Sequence, residues 1–483
     1  MGWLGCKVPA MRPTSLRSLA PFALAVSLAL SSTSAQADDV SIPFTVAKLA
    51  NGMTVIMHED HAVPIVTVNV TYRVGSRFEV ARRTGFAHLF EHLMFMGTAR
   101  APTKVFDASM EAAGGWNNAD TSEDRTEFYD VAPPTALPLL LWLEADRQRD
   151  LGPLMTQEKL DAQRDVVRNE RRQTSENTPY GVVELRLPEL LFPEGHPYHH
   201  PVIGSHEDLE AASVADVQAF FAQWYDPANA TLVVAGDFDP KTTLPEVERL
   251  FSSTPSHGRP ADPGVPAAFA PANGAPTTLT KVVRETVTDH VELPKIVMAW
   301  QSPPHYAPGD AELDLLGSVL TTGKASRLYH ALVYEKKLAQ SVDASQGSGT
   351  VGSRFVINIL ARPNVSLDKL EAAVDEELDK LRKTKVTDEE LKRAENGVET
   401  GFVSRLESVR ARASLLNDYQ MELGDPGYTQ KDLERYRKAT PDDLKDVAAR
   451  VLLPNARVIL RVVPGAPAEA APTSGAPFQG GKP

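Results

Sequence analysis

The chain is almost without cysteine: among 483 residues there is one, Cys6. No intrachain disulfide can form, thiolate catalysis is excluded from everything after position 6, and stability has to come from buried apolar surface. Positive charge is also in short supply. Lys and Arg number 50 against 63 Asp and Glu, a formal net charge of -13, which argues against a nucleic-acid partner. Long hydrophobic runs are missing as well. The apolar stretch at 19–30 (LAPFALAVSLAL) falls short of the roughly 20 residues that span a bilayer. It reads instead as the centre of an export signal. Lys7, Arg12 and Arg17 precede it, no acid occurs before Asp38, and Ala35-Gln36-Ala37 offers a small-x-small cleavage site. The expectation is a leader over 1–37, a mature chain from Asp38 and a periplasmic location in a Gram-negative cell. An uncleaved anchor is the alternative.

What is present is ordinary globular material, 42% hydrophobic and 23% charged. The length suggests two domains of roughly 200 residues. In the first, Asn51-Gly52 reads as a turn between strands, and 65–74 (IVTVNVTYRV) alternates like a half-buried strand. Gly114-Gly115 reads as a turn leading into further strands, and 136–149 and 157–173 read as helices. Residues 252–278 are rich in Pro, Ala and Gly and are expected to form a linker; 466–483 have the same character and are expected to be a disordered tail. The halves on either side, 38–251 and 279–465, look like copies. Ser213 and Thr440 are both N-cap types with an Asp three residues on, and each helix ends near a proline, Pro227 or Pro454, before an apolar strand.

The most informative stretch is 86–95 (FAHLFEHLMF), an apolar helix that carries His88, Glu91 and His92. Residues four apart on a helix lie about 40° from each other, so His88 and His92 share a face one turn apart, the geometry for two imidazoles on one metal ion. Glu91 lies on the same side and can reach a metal-activated water as a general base without being a ligand. The order H-x-x-E-H reverses the usual zinc helix, and three polar groups on an apolar helix need the compensation that a metal supplies. Catalytic zinc takes three protein ligands. The best third candidate is Glu170, which shares a helix face with Val166 and Val167 and is expected to point inward beside them. A surface salt bridge is the competing role for it. The cluster His196, His199 and His200 lies in a Pro-broken loop and is expected to pack rather than bind metal.

Several ordered motifs now resemble one family, the pitrilysin–insulysin zinc peptidases. They are RTGFAHLFEHLMFMGT (83–98), GGWNNADTSEDRTEFY (114–129), VVRNERRQ (166–173), GHPYHHPVIG (195–204) and NATLVVAGD (229–237). The likeness runs over essentially all of 40–465 and is nearest to short bacterial members similar to the mitochondrial processing peptidase beta subunit. It implies an α+β fold of two duplicated domains, each a mixed, largely antiparallel sheet packed with helices, together forming half of a clamshell. It implies one Zn²⁺ on His88, His92 and Glu170, with Glu91 as catalytic base. It also implies that the strand at Asn118-Ala119 pairs with an extended substrate.

The sequence departs from the family pattern at three places. Asp120 stands where many members have an apolar residue, which either turns preference toward basic side chains or leaves a solvated Asp with no such role. Gln163 stands where a second carboxylate often precedes the zinc glutamate. In self-sufficient members the second half carries an Arg and a Tyr that reach substrate; here those positions are Val333 and Gln340, with Tyr334 and Lys336 displaced and expected on the surface. The resulting expectation is a zinc endopeptidase that cuts peptides or unfolded segments in an enclosed chamber. A similar metal-free subunit would supply the Arg–Tyr pair in a heterodimer; failing that, the chain would form a homodimer. A non-catalytic structural or peptide-binding subunit is the alternative. Co²⁺ and Mn²⁺ suit the same donors.

Overall fold

A computed structural model describes residues 40–267, 269 and 278–465. The expected leader and tail, and much of the 268–277 stretch, lie outside these residues. In the first half the strands are β1 (Thr45–Lys48), β2 (Thr54–Glu59), β3 (Val66–Tyr72), β4 (Trp116–Thr121), β5 (Thr126–Ala132) and β6 (Ala230–Gly236). Its helices are α1 (Phe86–Leu93), α2 (Val105–Ala112), α3 (Leu137–Asp150), α4 (Gln157–Arg171), α5 (Val182–Leu191), α6 (His206–Ala211), α7 (Val214–Trp224) and α8 (Pro240–Phe251). The second half has β7 (Val283–Asp289), β8 (Lys295–Ser302), β9 (Ala339–Gly347), β10 (Ser353–Ala361) and β11 (Val458–Pro464). With them are α9 (Asp310–Thr321), α10 (Leu367–Lys383), α11 (Asp388–Arg405), α12 (Val409–Leu423), α13 (Thr429–Arg437) and α14 (Pro441–Val451).

The two halves share one topology. The first sheet runs β1-β2-β6-β3-β5-β4 and the second β7-β11-β8-β10-β9. Without β1 the orders correspond strand for strand. In each, the opening strand pairs parallel with the closing one, β2 with β6 and β7 with β11, and every other pairing is antiparallel. The corresponding helices α7 and α14 open with reciprocal capping boxes, Ser213 with Asp216 and Thr440 with Asp443.

β3 corrects the sequence reading. Its alternation suggested one solvated face, yet every residue from Val66 to Tyr72 is buried. Val66, Val68, Val70 and Tyr72 belong to the main apolar core of the first half. The other face is covered by α12, which crosses over from the second half and packs Val409, Ala413, Leu416 and Tyr419 on Ile56, Val233 and Ala235. The polar residues of β3 therefore meet a helix instead of water. Asn417 donates from Nδ2 to Asn69 Oδ1 at 2.6 Å, and Asn69 donates to Ser414 Oγ at 3.2 Å. Alternation marks polarity, and here the polarity is satisfied inside the protein.

The Pro-rich connection is tied down where it is described. Arg77, which is buried, pairs with Asp262 at 2.7 Å and with Asp124 at 2.7 Å. Asp124 in turn accepts from Tyr198 Oη at 2.7 Å and from the Thr350 amide at 3.0 Å, which joins the first half to the second beside the linker. Among the described residues no helix is long and apolar enough to cross a membrane.

Removing Asn417 takes away a buried hydrogen bond and leaves a cavity in a dry interface, while Asn69 keeps its bonds to Ser414, Thr71 and Glu127. Asn417→Ala is expected to lower unfolding free energy by about 2–3 kcal/mol. The double change Asn69→Val with Asn417→Leu is expected to cost more than Asn417→Ala alone, because Asn69 also bonds Glu127, Ser414 and Thr71, which then lose that partner. Urea denaturation of both variants measures this.

Candidate metal centre

α1 begins where the backbone turns through the left-handed region at Gly85, φ 85°. A Cβ there would lie 2.8 Å from the Ile203 carbonyl oxygen, so glycine alone lets the helix start against that loop. The carboxylate of Glu79 takes the free amides of the first turn, accepting from Gly85 N at 2.9 Å and from Ala87 N at 2.7 Å. Leu89, Phe90 and Leu93 then enter the core, and Phe90 packs on Tyr225 with ring centres 4.7 Å apart. This burial aims the remaining face, with His88, Glu91 and His92, at α4 and β4.

α4 starts from Thr156, whose hydroxyl accepts from Lys159 N at 3.3 Å. Leu160 and Val167 are buried beneath it. Val166 differs from expectation: it is 45% exposed, because the stripe that meets the core runs through 160 and 167 and turns 166 outward. Glu170 lies between the two directions and reaches the imidazoles. Directly after α4 the chain widens into a π-helical turn, Arg172–Glu176, a local irregularity that often accompanies functional sites.

The three expected ligands converge. His92 Nε2 is 3.2 Å and His88 Nε2 3.8 Å from Glu170 Oε2, and one donor atom from each residue falls within 4.8 Å of the others. Donors about 2.1 Å from a tetrahedral ion stand about 3.4 Å apart, so the observed separations suit one divalent metal of zinc's size. Nδ1 of His88 is buried with no hydrogen-bond partner among the described residues. Burial, aided by His92, pushes the His88 imidazole down to about 4, so it is neutral and available as a ligand near pH 7. The His92 hydrogen bond holds Glu170 below the usual carboxylate range. Two imidazoles and one carboxylate form a nitrogen–oxygen set that fits zinc.

Glu91 stands beside this set. Thr121, the last residue of β4, donates from Oγ1 to Glu91 Oε2 at 2.6 Å. Burial pushes the Glu91 carboxyl up to about 7, partly opposed by that hydroxyl. A group poised there can take up and return a proton near neutrality. Asn118 is exposed, Ala119 is buried, and both lie on β4, the outer strand of its sheet. Asp120 is half exposed and pairs with Arg125 at 3.1 Å; the same guanidinium serves Glu127 at 2.8 Å and Asp418 at 3.0 Å. The charge of Asp120 is thus answered from within the chain.

Glu79 and Thr121, which hold the first turn of α1 and Glu91, are the supporting residues that pattern reading passes over. An acid shortly before a Gly-started helix, and a hydroxyl closing the strand after Asn118-Ala119, were the available signals. In the second half Val333 packs on the core and Gln340 is exposed at the start of β9. Tyr334 is 69% exposed, and Lys336 pairs with Glu376 at 2.5 Å. Gln163 lies 2.8 Å from Met96 Sδ. His196 stacks on Phe192 with centres 4.6 Å apart, and His199 Nδ1 is 2.7 Å from the Phe192 carbonyl oxygen. Among the described residues, His88, His92 and Glu170 form the sole metal-competent trio.

Comparison with known proteins gives concordant matches. Residues 54–200, which contain the trio and Glu91, match the family profile described as insulinase (peptidase family M16). Residues 211–398 match the profile described as the peptidase M16 inactive domain. The zinc protease PqqE of Helicobacter pylori is 28% identical over 382 residues, which is 79% of this chain and 84% of that one. An uncharacterized zinc protease of Streptomyces coelicolor is 26% identical over 405 residues, 84% of this chain and 86% of that one. A crystal structure of a protease from Helicobacter pylori superposes with a TM-score of 0.80 at 26% identity, covering 88% of this chain and all (100%) of that one. The periplasmic protease PqqL from Escherichia coli shares the fold, with a TM-score of 0.71 at 19% identity over 88% of this chain but only 48% of that one.

Titration of the metal-stripped chain with Zn²⁺ is expected to reach one equivalent and to raise Tm. His88→Ala, His92→Ala and Glu170→Gln are each expected to weaken binding at least about 100-fold while leaving the far-UV circular dichroism of the apo chain unchanged. Calorimetry and thermal melts with Zn²⁺ read both effects.

Proposed function

Because this chain belongs to peptidase family M16, the pitrilysin–insulysin zinc metallopeptidases, we propose that it is a zinc endopeptidase acting on extended peptides or unfolded segments. The observation that carries this reading is the meeting of His88, His92 and Glu170 at one point with Glu91 alongside. One zinc ion held by those three side chains would supply Lewis acidity and lower the pKa of water. The rest is the work of the chain itself. Glu91, steadied by Thr121, accepts a proton from the attacking water and returns it to the nitrogen of the leaving amine. The outer edge of β4, through the backbone of Asn118, Ala119 and Asp120, pairs with the substrate as an added strand and carries the cut bond toward Glu91. A folded domain cannot offer such a strand, which restricts substrates to peptides and unfolded stretches.

On this reading 38–251 is the catalytic half, 252–278 the connection and 279–465 a copy without the metal motif. Val333 and Gln340 leave the second half without the Arg and Tyr of self-sufficient relatives, so a similar metal-free subunit completes the clamshell in a heterodimer. The PqqL chain, of which this one matches 48%, is long enough to hold two such halves in one polypeptide. The basic, apolar N-terminus supports export to the periplasm with cleavage behind Ala37. A second reading is favoured by the same Val333 and Gln340 and by the inactive-domain profile over 211–398: a peptide-holding subunit that does not cut.

Glu91→Gln separates the two. The variant is expected to fold and to bind Zn²⁺ like the parent, while cleavage of a peptide mixture falls by about 10²–10⁴-fold. Cleavage is read by mass spectrometry of the products, with the chain alone and with a metal-free relative that carries the Arg–Tyr pair. A parent chain that binds zinc and peptides but cuts nothing in either mixture supports the holding subunit.

A further inference from the structure

Trp116 stands at the head of β4 and is 51% exposed, unusual for the largest apolar side chain. Its surroundings are built. In the β4–β5 ladder Trp116 opposes Val131 and Asn118 opposes Tyr129, so these four side chains lie on one face of the hairpin. The Trp116 and Tyr129 rings meet edge to face, 5.9 Å between centres at 84°. Over Tyr129 lies the guanidinium of Arg410, 4.5 Å from the ring centre, reaching across from α12 of the second half. Tyr129 is thereby fixed by both halves, while the Trp116 indole keeps an open flank beside the free edge of the strand.

The register of β4 says what that flank would meet. Ala119 and Thr121 lie on the opposite face, where Thr121 holds Glu91. Trp116 is five positions up the strand from Thr121, about 17 Å at about 3.4 Å per residue. A peptide strand laid along β4 puts each side chain on the same face as the residue it opposes. Resting on the edge-pairing proposed above, we propose that Trp116, on the Tyr129–Arg410 support, forms a remote subsite for an aromatic or bulky apolar side chain of the substrate. That side chain belongs to the residue paired with Trp116, about five positions to one side of the residue paired with Thr121. The subsite selects by aromatic contact away from the cut bond and takes no part in the chemistry.

A host peptide of Thr, Ser and Gly with one Phe moved along it tests this. Binding to full-length, zinc-loaded Glu91→Gln chain is followed by fluorescence anisotropy of a label on the peptide. Affinity is expected to peak at one Phe position, about tenfold above the Phe-free host. Trp116→Ala should remove the peak and leave Phe-free binding unchanged, and Trp116→Phe should keep most of it. A flat profile, or a peak that survives Trp116→Ala, overturns the subsite while edge pairing stands. Absence of binding by every peptide, the host included, overturns edge pairing and the subsite with it. Self-association that Trp116→Ala abolishes, beside a flat peptide profile, assigns the surface to a second copy and likewise overturns the proposal.

Discussion

Burying His88, Glu91 and His92 on two turns of an apolar helix carries a desolvation cost that everything around α1 is arranged to offset. Glu79 takes the amides of its first turn, Glu170 answers the imidazoles from α4, and Thr121 answers Glu91 from the end of β4. Each support comes from a different element, so the site exists only when helix, strand and neighbouring helix are all docked. Docking depends on the sheet, and the sheet depends on α12 of the second half lying across β6 and β3. The second half carries no metal-competent cluster among its described residues, yet its helix covers the face of the first sheet that lies away from the main core.

That dependence gives the duplication a physical sense. Two copies of one topology have kept strand order, parallel closure and the capping boxes at Ser213 and Thr440. They differ in the metal-competent trio, which among the described residues only the first copy carries. Arg125 marks the joint between them: it binds Asp120 and Glu127 of the first half and Asp418 on α12, so the strand end nearest Glu91 is pinned to the second half. Asp418 is pushed up to about 6 by burial, so its charge is held there against desolvation by that guanidinium.

What could be read in advance follows from how local each signal is. The His88–Glu91–His92 spacing and the two capping boxes are set by residues within one or two turns, and the bare chain shows them. Glu170 stood between ligand and surface salt bridge until family resemblance tipped it, because its partners lie far off in sequence. Its helix face was assigned by Val166 and Val167 together, and the core takes only Val167. β3 looked half solvated because a polar face buried under a remote helix has the same alternation as one in water. Thr121 offers only a weak signal, since a strand-terminal hydroxyl has many ordinary uses. The connection at 252–278 has a linker's composition, yet Asp262 ties it to Arg77 by a contact that composition cannot reveal.

β4 is a poor strand by composition. Three of its six residues, Asn117, Asn118 and Asp120, are types that strands avoid, and it is held in extended form by β5 on one side alone. An edge made of valine and isoleucine would grip a peptide harder and would grip its own products equally hard. A reluctant edge holds a long chain only through the sum of many contacts, and each cut halves that sum. If β4 takes substrate as proposed, the weakness of the strand would favour turnover, since neither fragment would retain enough backbone pairing to stay.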